Sequence, residues 1–183
     1  MTHRILRTVA ASLAVLMLAP AASADLPQGA KAPAFATQGA LGGKAFAFNL
    51  RTALRKGPVV LYFYPKSFTQ GCTLEAHAFA DAMADFRAAG ATVIGLSADD
   101  LATQKKFSTE HCRDKFPVGI ATPAIAAAYD VALKGEGVPA GMTARTSYVI
   151  GRDGRIKLAY SNMDFRDHVR MTLAAVRALS ARH

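Results

Sequence analysis

Val59-Val60-Leu61-Tyr62-Phe63-Tyr64-Pro65-Lys66-Ser67-Phe68-Thr69-Gln70-Gly71-Cys72 is the stretch on which the reading of this 183-residue chain turns. Six apolar, β-branched or aromatic residues run without interruption to a proline, the pattern of a strand buried on both faces. Cys72 follows Pro65 by seven residues, and Thr73-Leu74-Glu75-Ala76-His77-Ala78-Phe79 continues as helix. Cys72 is therefore expected where a core strand hands over to a helix N-terminus, where first-turn N–H groups and the helix dipole favour a thiolate.

Working outward, Phe35 to Leu50 carries Gly39, Gly42 and Gly43 and then alternates through Ala45-Phe46-Ala47-Phe48, which predicts a β-hairpin. Asp25 to Pro33 reads as an extended arm, and Leu50 to Lys56 as a short helix closed by Gly57-Pro58. Cys72 to Ala89 is predicted helical, with Phe79, Met83 and Phe86 on one face and Gly90 as its stop. Ala91 to Ser97 is a second core strand. Asp99 or Asp100 caps the next helix, which runs to about Cys112. Phe116 to Ile120 reads as a short strand, Pro123 opens a brief helix with Ile125 and Tyr129, and Val131 to Thr143 is a glycine-bearing loop. Arg145 to Ile150 and Arg155 to Tyr160 form a hairpin across Gly151-Arg152-Asp153-Gly154. A last helix, about Asp164 to Ala181, turns Val169, Leu173, Val176 and Leu179 inward. Strands alternating with helices, ending in a hairpin, predict a single α/β domain with a mixed central sheet flanked by helices.

The N-terminus stands apart. His3, Arg4 and Arg7 precede an apolar run of 11 residues, Val9 to Ala19; Pro20 and Ala22-Ser23-Ala24 follow. This is the pattern of a cleaved secretory signal peptide over residues 1–24, leaving a domain of residues 25–183. The alternative, a membrane anchor, is disfavoured because spanning a bilayer takes about 20 apolar residues. Losing Arg4 and Arg7 lowers the formal charge from +9 to +7. The remaining basic residues are scattered and not interleaved with aromatics, which indicates a solvated surface and not a nucleic-acid groove. The histidines show no metal-ligand spacing with either cysteine, and neither a phosphate loop nor a Cys-x-x-Cys pair occurs.

Only two cysteines are present, Cys72 and Cys112, 40 residues apart. In an exported protein they read first as a structural disulfide, which for a loop of that length stabilises by about 3–4 kcal/mol. The surroundings of Cys72 argue for more. An unperturbed thiol is only a few per cent thiolate at pH 7. Making one mostly ionised takes about 3.4 kcal/mol, and a helix N-terminus supplies about 0.3–2 kcal/mol. A guanidinium must contribute much of the rest, and Arg145, opening a predicted strand of the same sheet, is the best placed. Thr69 can hydrogen-bond a bound oxygen or the sulfur. Pro65 has no N–H to compete for the sulfur and can shield it. Glu75, one turn after Cys72, either holds an arginine or is an ordinary first-turn acid.

Pro65-x-x-x-Thr69-x-x-Cys72 after an apolar strand, with Glu75 three residues on and Arg145-Thr146-Ser147 downstream, resembles the peroxiredoxins. The fuller string Leu61 to Lys66, Phe68-Thr69, Gly71-Cys72-Thr73 and Glu75-Ala76 is similar to their bacterioferritin-comigratory, or Q-type, group. The likeness runs from Gly29-Ala30-Lys31-Ala32-Pro33 to the final helix. It implies a thioredoxin-like fold that reduces hydrogen peroxide and organic hydroperoxides without metal, flavin or other cofactor. Carried over, Cys72 is the peroxidatic cysteine, Thr69 and Arg145 polarise the peroxide, Pro65 walls the pocket, and Gly71 and Glu75 support it. Ser67 and Gln70 stand where the motif often has Asp and Pro. His77 stands where many Q-type members keep a resolving cysteine, so resolution falls to Cys112 through a Cys72–Cys112 disulfide, with local unwinding. Cys112 idle in a one-cysteine enzyme is the alternative. The implied partners are a peroxide and an exported thioredoxin-like reductant or small thiol, for a periplasmic monomer or weak dimer without stable membrane insertion. A disulfide oxidoreductase and a non-catalytic binding module with a structural disulfide are the competing classes.

Overall fold

The computed structural model describes residues 25–181 except 134, 136 and 140; the stretch read as a signal peptide lies outside the described residues. In chain order the elements are β1 (Ala36–Leu41), β2 (Lys44–Asn49), α1 (Leu50–Lys56), β3 (Val59–Phe63), α2 (Gln70–Ala88), β4 (Thr92–Ser97), α3 (Leu101–Glu110), β5 (Val118–Ile120), α4 (Pro123–Ala128), β6 (Thr146–Ile150), β7 (Ile156–Ser161) and α5 (His168–Ser180), the last preceded by a 3₁₀ turn at Phe165–Asp167.

The seven strands form one sheet in the order β2-β1-β5-β4-β3-β6-β7. β3 is its hub, parallel to β4 and antiparallel to β6. Every residue of β3 is buried, as its unbroken apolar run demands. Its pleat divides the core in two. Val59, Leu61 and Phe63 join the cluster under α1 and α4. Val60, Tyr62 and Tyr64 join the cluster that holds Phe79, Met83 and Phe86 of α2, Phe107 of α3 and Val176 of α5. The sheet is thus a mixed α/β layer with helices on both faces, the predicted architecture.

Local chemistry sets the element ends. α2 stops at Gly90 (φ 73°), with Gly90 N–H on Arg87 O and Ala91 N–H on Phe86 O, both at 2.9 Å, the paired bonds of a Schellman closure. Asp100 caps α3 by accepting from Thr103 N–H, and Thr122 caps α4 ahead of Pro123. α5 begins later than the sequence implies, because Asp164 to Asp167 are spent on the 3₁₀ turn. The arm before β1 is docked, with Gly29 N–H on Ile156 O at 2.8 Å and Ala32 N–H on Gly154 O at 2.9 Å.

Register fixes where chemistry can occur. Phe63, the last residue of β3, faces Thr146, the first of β6, so Arg145 sits beside the point where β3 runs into Pro65. The carboxyl ends of β3 and β4 open at this edge, the usual ligand edge of a sheet with parallel strands. Among the described residues no helix is long and apolar enough to cross a membrane.

Candidate functional site

The loop from Pro65 to Thr69 is held by a buried polar network. Ser67 N–H donates to Asp99 Oδ2 at 2.7 Å, and Ser97 Oγ donates to the same oxygen at 2.7 Å. Gln104 donates to Ser97 Oγ at 2.8 Å and to Gly119 O at 3.1 Å. Tyr64 O–H gives its proton to Gln104 Oε1 at 2.9 Å, so Ser67 Oγ, 3.1 Å away, donates to Tyr64. The two adjacent aspartates have separated tasks: Asp100 caps α3, and Asp99 ties the loop. Phe68 closes the loop in the left-handed region (φ 64°), unusual for a bulky residue. Its ring edge meets Phe107 and His111.

α2 begins at Gln70, two residues earlier than the sequence implies, with Thr69 at its N-cap. Cys72 is therefore the third helical residue, within the turn whose free N–H groups create the dipole's positive end. Thr69 does not cap with its side chain; its exposed hydroxyl donates its proton to Lys66 O at 2.9 Å, which leaves the lone pairs of its oxygen free to accept.

Arg145, Glu75, Gly71 and Cys72 are brought together. The Arg145 guanidinium directs Nη2 to Cys72 Sγ at 3.4 Å, Nη1 to Glu75 Oε2, and Nε to Met163 O at 3.0 Å. Three separated donors on one planar group fix its orientation in a way that a lysine cannot. Gly71 makes room: a Cβ there would lie 3.3 Å from Arg145 Nη2. The pair is buried, Glu75 fully and Arg145 to within 4%. Burial pushes the Glu75 carboxyl up to about 8, and Arg145 pulls it back only in part. Burial disfavours the Arg145 charge, but Glu75 and Cys72 outweigh it and keep the guanidinium protonated. Of the two readings of Glu75, the arginine holder is what the geometry presents.

Pro65 is half-buried at the mouth of the loop. Its predecessor's carbonyl, Tyr64 O, accepts from Thr143 Oγ1 at 2.9 Å, which secures the end of β3. Cys72 itself is 2% exposed. A groove of about 710 Å³ lies at the other end of β3, lined by Gly57, Pro58, Gly90 and Arg152 among others, and it contains none of these residues.

Cys112 is also buried, and both thiols are free. It follows α3 and shares the apolar cluster of Cys72, Ala76, Phe79, Phe107 and Phe116. Burial, and secondarily Asp114, pushes its thiol far above the ordinary range. The next two residues, Arg113 and Asp114, are both left-handed (φ 50° and 54°). His77, in the place expected of a resolving cysteine, lies 3.3 Å from His111 through Nε2 and Nδ1, and Arg113 pairs with Asp81. α2 is thus linked to the Cys112 segment by two polar contacts.

Sequence reasoning missed Asp99, Ser147, Met163 and His168 as parts of this assembly. Asp99 left a signal as one of two adjacent acids after a core strand, and Ser147 as the third residue of Arg145-Thr146-Ser147; Met163 and His168 reach the site from the segment between β7 and α5 and from α5.

A cysteine at a helix N-terminus, faced by an arginine from a neighbouring strand of a thioredoxin-like sheet, defines a peroxiredoxin, a class of thiol-dependent peroxidase. The chain belongs to the AhpC/TSA family, which it matches over residues 28–159. It is 33% identical over 162 residues to the chloroplastic peroxiredoxin Q of Suaeda salsa, covering 85% of this chain and 70% of that one. It spans only 50 to 64% of the length of further chloroplastic peroxiredoxins Q that it matches. Among solved structures, the peroxidoxin BcpB of Mycobacterium tuberculosis superposes with a TM-score of 0.74 at 30% identity, over 83% of this chain and 97% of that one. The bacterioferritin comigratory protein of Xanthomonas campestris superposes with a TM-score of 0.68 at 27% identity, over 78% and 91%. These relatives identify the Q-type group.

Proposed function

We propose that this peroxiredoxin reduces hydrogen peroxide and organic hydroperoxides by a two-cysteine cycle run from Cys72 and Cys112. The Cys72 thiolate attacks one peroxide oxygen and breaks the O–O bond. The other oxygen leaves with a proton as water or alcohol, and Cys72 becomes a sulfenic acid. Thr69 and Arg145 hold the peroxide, Thr69 by accepting the peroxide O–H on its exposed hydroxyl oxygen, whose own proton goes to Lys66 O. Cys112 then attacks the Cys72 sulfur, water leaves, and a disulfide forms. Two electrons from an external dithiol return both thiols.

The observation that carries this reading is the Arg145 fork, with one donor on the Cys72 sulfur and the other two anchored on Glu75 and Met163 O. Organic hydroperoxides are included because alkyl peroxide reduction is described for the Xanthomonas relative, and because Phe68 and Met163 expose apolar surface beside the site. Resolution by Cys112 is supported by its place in the same apolar cluster as Cys72. The strained residues after it favour local release, since left-handed non-glycine backbone costs about 1–3 kcal/mol each. We also place the enzyme outside the cytoplasm, on the pattern of residues 1–24, as a monomer or weak dimer served by an exported thioredoxin-like protein or a small thiol.

Mass spectrometry after one equivalent of peroxide tests the cycle. The expected product has lost two hydrogens, with Cys72 linked to Cys112, and Cys72→Ser consumes no peroxide. A lasting sulfenic acid would remove Cys112 from the cycle, and full activity in Cys72→Ser would remove the whole assignment. N-terminal sequencing of the protein recovered from its host tests export, with Asp25 the expected first residue.

A further inference from the structure

Arg145 is only as well aimed as the groups that hold it. Its Nε rests on Met163 O, in the segment between β7 and α5. The residue before, Asn162, is pinned twice. Its N–H donates to Arg145 O at 3.1 Å, and its carbonyl meets His168 Nε2 at 2.9 Å. A carbonyl only accepts, so Nε2 carries the proton. In the neutral ring Nδ1 is then the acceptor, and Ser147 Oγ, two residues from Arg145 along β6, donates to it at 2.8 Å. His168 therefore ties the strand that carries Arg145 to the segment that receives it. The ring is fully buried, with the Tyr160 ring edge-on at 4.8 Å.

A second observation converges on the same ring. Glu75 Oε1 is buried and has no hydrogen-bond partner, and it lies 3.9 Å from His168 Nδ1. The groups facing His168 are Glu75 from α2, Arg145 just before β6, Ser147 from β6, Tyr160 from β7, and Asp164 and Asp167 from the turn before α5. While the ring is neutral, the Glu75 carboxyl is left to Arg145. A proton on Nδ1 would turn Ser147 away and set a second cation against Arg145 for that carboxyl.

We infer that His168, as the neutral Nε2–H tautomer, is a positioning residue for the peroxidase: it fixes the Asn162–Met163 backbone and, across Glu75, the orientation in which Arg145 presents Nη2 to Cys72. This rests on the role given above to Arg145 and Cys72.

The test compares His168→Leu with His168→Gln, whose amide N–H can still reach Asn162 O. The primary readout is the alkylation rate of Cys72 by iodoacetamide at pH 7 in the folded protein, resolved from Cys112 by peptide mapping; the second is peroxide reduction. A shift of the guanidinium by a fraction of an ångström should slow both about tenfold in His168→Leu, and His168→Gln should recover to within about threefold of the unaltered protein. A histidine that only supports the fold would lower the melting temperature and leave the Cys72 alkylation rate alone. An unchanged rate in folded His168→Leu overturns the inference, as does a glutamine variant no better than the leucine. Should His168→Leu not fold, Ser147→Ala removes only the hydroxyl that donates to Nδ1 and ties the ring to β6. It is expected to slow alkylation several-fold, and an unchanged rate there overturns the inference equally. If the unaltered protein alkylates rapidly at Cys72 yet reduces no peroxide, the peroxidase reading falls while the positioning result stands.

Discussion

The two thiols of this chain share one apolar cluster but have opposite surroundings. Cys72 lies in the first turn of α2, with Arg145 Nη2 on its sulfur and a chain of polar groups behind that arginine. Cys112 lies beyond the end of α3 among Phe107 and Phe116, and burial drives its thiol far from ionisation. In the proposed cycle the first is the nucleophile, and its contacts to the arginine and the helix terminus suit that role. In the same proposal the second must move before it attacks, since the thiolate is the attacking form and burial opposes it. The backbone agrees: α2 is regular through Cys72, whereas Cys112 runs into two left-handed residues. An apolar wall alone therefore specifies neither thiol; the helix terminus and the guanidinium distinguish them.

The sharpest way to break this contrast is to blunt the guanidinium without removing its charge. Arg145→Lys keeps a cation near Cys72 but cannot serve Sγ, Glu75 and Met163 O from one plane. The second-order rate of peroxide reduction should fall by about 10²-fold, the effect of losing an aimed donor at a reacting centre. Stopped-flow mixing with hydrogen peroxide measures it. A lysine variant within threefold of the original would mean that charge alone activates Cys72, and the fork would lose its meaning.

Altering the other thiol should act on a different step. In Cys112→Ala the first oxidation of Cys72 should keep its rate within about twofold, while steady turnover with a dithiol reductant falls about tenfold and Cys72 sulfinic acid accumulates at high peroxide. Single-turnover mixing set beside steady-state assay and intact mass resolves the two. A slowed first oxidation would show that the sites are coupled through their shared cluster.

How much of this was legible in the sequence depends on how far each contact reaches. The hub strand declared itself because Val59 to Tyr64 is apolar without a break, and that in turn placed Cys72. Pro65, Thr69, Gly71, Glu75 and Cys72 lie within eleven consecutive residues, so their arrangement follows from one loop and one helical turn. The start of α2 was misplaced by two residues because Thr69 leaves its side chain out of the cap and Gln70-Gly71 reads as turn. The Arg145 pairing was visible as a requirement for a cation, met by a residue at a strand start, as one of two readings of Glu75, and through the family resemblance. His168 was opaque: its partners are 21 residues back on β6, six back in a turn, and on α2. The inward set read from the sequence of α5, Val169, Leu173, Val176 and Leu179, leaves His168 out, although the helix buries His168, Thr172 and Val176.

A third test uses pH to compare the two sides. Burial, aided by Arg145, lowers the affinity of His168 for a proton, against the pull of Asn162 O. Burial, with Arg113 and His111, does the same at His77 beside Cys112. The folded state thus resists a proton that the unfolded chain accepts near pH 6.5. Stability is present in full above that value and is lost as pH falls below it. The two histidines should draw the melting temperature down between pH 7.5 and 5. Glu75 acts in the opposite sense, because its raised carboxyl takes up a proton over the same interval. The histidines' share is therefore read by comparing each histidine variant with the unaltered protein. His168→Gln should flatten the drop more than His77→Gln, because His168 is fully buried and His77 is only partly so. The reverse ranking would place the acid-sensitive part of the fold on the Cys112 side.

The smallest effect is expected at Gly71, and it separates stability from activity most cleanly. Gly71 is helical, and replacing a helical glycine by alanine is intrinsically favourable by about 0.8–1.0 kcal/mol. Its new Cβ would stand 3.3 Å from Arg145 Nη2, closer than relaxed contacts allow. The arginine cannot retreat freely, because Nε and Nη1 are both held. The methyl group must then push Nη2 away from Cys72 by a few tenths of an ångström. Gly71→Ala is therefore expected to melt no lower than the unaltered protein while reducing peroxide about three- to fivefold more slowly, a small share of the loss that a full 1 Å misplacement brings. Parallel melting and stopped-flow measurements decide it. A variant that is both more stable and fully active would show that the guanidinium tolerates displacement. The contrast between the two thiols would then rest on the helix terminus alone.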